Sequence, residues 1–104
     1  MAEQRAVTLG TEETDLVGKW VLDGGRMIGD PVEERISQLV GHELQKIAIS
    51  PVSGAWETLY RDALDGRYWE LTYPHGEIHG GGPKRLTNLS AAAATAKYRL
   101  TNSN

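Results

Sequence analysis

At 104 residues, with 39% apolar and 24% charged side chains, the chain has room for one small domain that buries roughly 65% of the surface its unfolded form exposes. A net charge of -3 argues against nonspecific nucleic-acid binding, which relies on Lys and Arg to displace counterions from phosphates. No apolar run is long enough to span a bilayer, and the absence of cysteine excludes disulfides and thiolate chemistry.

Residues Met1 to Thr14 are polar with no sustained apolar period, which predicts a loose arm with one helical turn near Thr11 to Asp15. A single domain over 15–100 and a short tail over 101–104 follow. No series of charged, apolar and small residues opens the chain in the manner of a signal peptide, and this, with the missing cysteines, points to a cytoplasmic setting. Phenylalanine is also absent, so three Trp and four Tyr must carry the aromatic packing. From Leu16 to Leu22 the sequence LVGKWVL has strand character. Asp23-Gly24-Gly25 turns it toward Arg26-Met27-Ile28, a first small hairpin with Trp20 as its buried anchor.

Asp30-Pro31 opens the main helix: Asp30 caps, Pro31 suits the first helical position, and Glu33 and Glu34 complement the positive end of the helix dipole. Val32, Ile36, Leu39, Val40, Leu44 and Ile47 recur at three- and four-residue spacing and predict one apolar stripe against a sheet. Gly41 weakens that helix or permits a close strand contact, and His42 reads as a surface residue. Ser50-Pro51 and Ser53-Gly54 form the loop that follows.

The stretch WETLYRDALDGRYWELTY, Trp56 to Tyr73, joins two aromatic, alternating segments through Asp65-Gly66, where Gly66 supplies the positive φ of a tight turn. With Asp62 facing Arg67 across a four-residue loop, Trp56, Thr58 and Tyr60 fall opposite Tyr73, Leu71 and Trp69 on a core face. Glu57, Leu59 and Arg61 fall opposite Thr72, Glu70 and Tyr68 on a charged face that looks at water or a partner. Beyond Tyr73, the run Pro74 to Pro83 is too glycine-rich for regular structure throughout. Arg85 to Leu89 reads as a short last strand, and Ser90 caps a closing helix through Ala91, Ala94, Ala96, Lys97 and Tyr98. The expected fold is a single α+β domain in the order β-β-α-β-β-(β)-α. Its antiparallel sheet, with the aromatic hairpin at its centre, packs on one main helix and a C-terminal helix.

His75, Glu77 and His79 form the one cluster that invites a metal or catalytic reading. Zinc-protease spacing places Glu directly after the first His on a helix; here Gly76 follows His75, and Pro74 and three glycines surround the segment. Gly80, Gly81 and Gly82 with Lys84 lack the spacing and the following helix of a phosphate-binding loop. The residues themselves therefore indicate no catalytic centre, cofactor or metal. A small enzyme or ligand-binding module using the His75-to-Pro83 loop stands as the alternative.

Together WETLYRD, DGRYWELTYP and HGGGP resemble the bacterial immunity protein 27 family of polymorphic toxin systems, with the resemblance covering most of residues 16 to 98. The closing helix departs from it in being rich in alanine where acidic residues are more usual. The resemblance implies a protein that binds and neutralises a cognate toxin by direct contact and needs no catalytic residues; charge and composition point to no nucleic-acid or membrane partner, and the free chain is expected to be a monomer. Charge and aromatic anchors on the hairpin's outer face then make Glu57, Arg61, Asp62, Asp65, Tyr68, Glu70, Glu77 and His79 the candidate contacts.

Overall fold

The computed structural model describes residues 9–75 and 82–100. Strand β1 (Asp15–Val17) is followed by β2 (Trp20–Asp23) and β3 (Arg26–Gly29), then by helix α1 (Pro31–Gln38) with a wide helical turn over Leu39–Glu43. Strands β4 (Gln45–Ser50), β5 (Gly54–Arg61), β6 (Tyr68–Thr72) and β7 (Arg85–Leu89) lead to helix α2 (Ala91–Tyr98). Five strands form one antiparallel sheet in the order β1-β7-β6-β5-β4, while β2 and β3 form a separate ribbon. The chain is thus a small α+β domain.

The central hairpin has the register its turn predicts: Thr58 faces Leu71, Tyr60 faces Trp69 and Arg61 faces Tyr68. Asp62 and Arg67 close it through Asp62 N to Arg67 O at 2.9 Å, and Gly66 takes a φ of 80°. On one face, Tyr60, Trp69 and Leu71 join Leu16 and Leu86 against Ile36, Leu39 and Leu44. The opposite face packs Leu59 against Ala94 and Tyr98 of α2. Each helix therefore covers its own side of the sheet.

Both helix starts follow the cap chemistry. Asp30 Oδ1 accepts from Glu33 N at 2.7 Å and Ser90 Oγ accepts from Ala93 N at 3.0 Å, satisfying amides that lack a partner within the helix. The main helix is shorter than its apolar spacing suggests. It ends at Gln38, the next turn closes through Leu44 N to Leu39 O at 2.8 Å, and Ile47 lies on β4 instead. Leu44 still reaches the core, but the β-branched alternation of QKIAIS favours a pleated strand that can pair with β5. A Cβ at Gly41 would point into open space, so no strand packs closely there, and His42 is exposed.

The segment LVGKWVL also divides. Gly18 breaks it into β1, which pairs with β7, and β2, which pairs with β3. A Cβ at Gly18 would lie 3.0 Å from Lys84 O and 3.1 Å from Glu33 Cα and would collide with the Glu33 carboxylate, so the chain turns here only because this position has no side chain. Glu33 is buried and accepts from Lys84 N and Lys84 Nζ, each at 2.8 Å. It ties the start of β7 to α1 besides complementing the helix dipole.

Residues 9–14 are not loose against the domain. Leu9 is part of the core, and Arg67 donates to Glu13 O at 2.6 Å and Gly10 O at 2.8 Å. Arg35 grips the Glu13 carboxylate through two nitrogens at 2.8 and 2.6 Å. A helical turn does not form there; Glu13 N bonds Gly10 O and the chain enters β1 at Asp15.

The hydrogen bonds from Arg35, opposed by burial and reinforced by the Gly10 amide, hold the Glu13 carboxyl at about 2 against an ordinary 4.5. A carboxyl lowered in the folded state contributes stability that is complete above its unfolded value and is lost as pH falls through its folded value. Glu13 thus weakens the fold between pH 4.5 and about 2. Glu13→Gln is expected to lower stability at neutral pH and to flatten part of this acid limb. Urea midpoints at pH 7 and about pH 3 measure it, and an unchanged difference between the two pH values would refute it.

Candidate partner-binding surface

The eight residues expected to contact a partner fall in three places. Arg61, Asp62 and Asp65 gather at the β5–β6 turn. Asp62 is buried and accepts from Leu64 N at 2.9 Å, while Asp65 accepts from Arg67 N at 3.0 Å and Arg67 Nε at 2.8 Å. The Arg67 amide and guanidinium lower the Asp65 carboxyl below its ordinary range against a small burial penalty. Two of these three carboxylate and guanidinium groups thus build the turn. Glu77 and His79 lie outside the described residues, and among those residues no group of three or more His, Asp or Glu could hold a metal ion.

Glu57, Tyr68 and Glu70 lie on the face expected to look at water or a partner, and here the structure corrects the expectation. Helix α2 covers that face. Glu70 is 7% exposed, Tyr98 donates its hydroxyl to Glu70 Oε2 at 2.9 Å, and Lys97 Nζ sits 2.5 Å from Glu70 and 3.2 Å from Glu57. Tyr68 is half-buried against the Leu59, Ala94 and Tyr98 cluster. Burial, followed by the Glu70 hydrogen bond and the Glu70 and Glu57 charges, raises the Tyr98 hydroxyl far above its ordinary range. Burial works against the Lys97 ammonium, but its hydrogen bonds to Glu70 and Glu57 outweigh that and raise it. This trio with Glu57 is a closed intramolecular network.

The exposed anchors lie elsewhere. Trp56, expected in the core, is 55% exposed and lies outside the cluster that packs on α1. It meets Tyr73 edge-on at a ring separation of 5.3 Å. Trp20, expected to be a buried anchor, is 38% exposed. Trp20 and Met27 wall a cleft of about 450 Å³ with Val17, Pro74, His75 and Pro83. Large amphipathic or flexible side chains around an apolar hollow are the composition of protein-binding surfaces. A sequence signal for this was present in Val21-Leu22 and Met27-Ile28, adjacent apolar pairs that place apolar groups on both sides of a strand where a half-buried strand would alternate.

No helix among the described residues is long and apolar enough to cross a membrane. The family model described as immunity protein 27 matches residues 22–90, from β2 to the cap of α2. No curated protein and no solved structure matches the chain.

Proposed function

Because the chain belongs to the immunity protein 27 family, we propose that it binds a cognate bacterial toxin directly and neutralises it without catalysis of its own. The single observation that carries this reading is the family match, which runs from the end of β2 through β3, the main helix and the whole central hairpin. Exposed Trp20, Met27 and Trp56 support it, since aromatic and Met side chains are enriched at protein interfaces and Trp is among the residues that most often dominate their energy. The protein acts in the cytoplasm, as a monomer until the toxin meets it.

Coexpression with the product of the adjacent upstream gene tests the proposal. Survival of cells that this product otherwise kills, together with copurification of the two chains, is the expected result. Persistent toxicity with no complex would sink it.

A further inference from the structure

Both faces of the β2–β3 ribbon are apolar. Cross-strand partners share a face, so Leu22 with Met27 and Trp20 with Gly29 lie on one, and Val21 with Ile28 lies on the other. All five large side chains are exposed, Leu22 at 71% and Met27 at 58%. Side chains of these sizes at these exposures present on the order of 500 Å², against the ~800 Å² that each partner brings to a standard interface. That area is the total of the two faces, and the larger share lies on the face of Trp20, Leu22 and Met27, an apolar extent that on a small protein marks an interaction site.

The ribbon is also held ready. Its root is fixed by Gly18 N to Lys84 O and Asp30 N to Lys19 O, each at 2.8 Å. Asp30 Oδ1 adds a bond from Lys19 N at 3.2 Å. Its tip is a two-residue turn in which Gly24 and Gly25 take φ of 60° and 83°, the geometry whose twist matches paired strands. An element fixed in advance loses little conformational entropy on docking.

Resting on the immunity reading above, we infer that the β2–β3 ribbon inserts into an apolar groove of the toxin. A flat partner would cover one face and leave the other in water; a groove covers both. Asp23 and Arg26 face each other at the tip, so the end of the groove carries both a cation for the carboxylate and an acceptor for the guanidinium.

Binding of the adjacent gene's product to the purified full chain, measured by titration calorimetry, decides the matter. Leu22→Asp and Met27→Asp on one face, and Val21→Asp on the other, are each expected to weaken affinity about 30-fold or more, the size of a central interface residue. Ala92→Asp, in the exposed first turn of α2, is expected to change nothing. Unaltered circular dichroism and urea midpoints confirm folding, and Leu22→Ser with Met27→Gln serves if the acidic variants fail to fold. If the unaltered chain binds and the ribbon variants bind equally well, the ribbon inference falls and the immunity reading stands. Loss confined to one face would overturn the groove. A concentration-dependent mass of the free chain that Leu22→Asp abolishes would assign the patch to a second copy. If the unaltered chain neither binds nor protects cells, the immunity reading fails and the ribbon assignment falls with it.

Discussion

Trp69→Ala is expected to cost about 3–5 kcal/mol, the range for deleting a fully buried Trp or Phe side chain. Small domains hold only about 5–15 kcal/mol in total, so this variant sits at or near unfolding. Trp69 is 0% exposed at the centre of the sheet, opposite Tyr60 on β5 and Asn88 on β7. The Arg67 guanidinium lies 4.8 Å from its ring centroid, and the same guanidinium holds Glu13 O and Gly10 O. Removing the ring thus empties the core and loosens the seat of the arginine that fastens residues 10–13. Trp69→Phe keeps an aromatic ring and removes an Nε1 that has no hydrogen-bond partner among the described residues; it is expected to cost less than about 2 kcal/mol. Urea denaturation of the three chains measures the order. Equal losses for Phe and Ala would show that volume is not what the site requires.

Glu70→Ala is expected to cost about 2–3 kcal/mol, because it leaves the Tyr98 hydroxyl and the Lys97 ammonium without their shared acceptor. Lys97 is partly exposed and keeps Glu57 at 3.2 Å, which holds the loss below that of a fully buried pair. The Tyr98 hydroxyl has no such escape, since the ring is buried between α2 and the sheet. Tyr98→Phe alone is expected to cost about 1 kcal/mol. Adding it to Glu70→Ala is expected to cost less than the sum of the two, because each removes the same bond. Thermal or urea melts of the four chains complete the cycle. Strict additivity would show that the bond contributes nothing. The same measurement bears on the proposed partner binding: a change in any partner's affinity in Glu70→Ala must first be corrected for the fraction folded before a contact is assigned to this residue.

Much of the local structure was legible because the forces that set it act over a few residues. The hairpin register follows from Asp65-Gly66 and from the alternation on either side, and a slip by one residue would turn Trp69 outward. Asp30 and Ser90 cap their helices through bonds to amides three residues on. The strand Arg85–Leu89 and the helix Ala91–Tyr98 have the bounds their sequence suggests. Strand β4 was hidden because Leu44 and Ile47 continue the helical spacing of Ile36 and Val40, and a short apolar run fits either period. Its pairing with β5, a tertiary contact, settled the choice.

The candidate surface was less legible for the same reason at larger scale. Alternation sorted Glu57, Leu59, Glu70 and Tyr68 to one side of the sheet and Trp56, Tyr60 and Trp69 to the other, and both sortings hold in the structure. Which side is covered, and how far along, depends on helices that lie up to some forty residues away in the chain. Helix α2 buries Glu70, and Trp56 lies outside the cluster that packs on α1. The strands of the hairpin, their register, the helix caps and the family could all be read from the residues alone. Which charges are internal and which aromatic groups face solvent emerged with the packed fold, because burial is a property of packed layers and a period-two pattern names two faces without saying which one receives a helix.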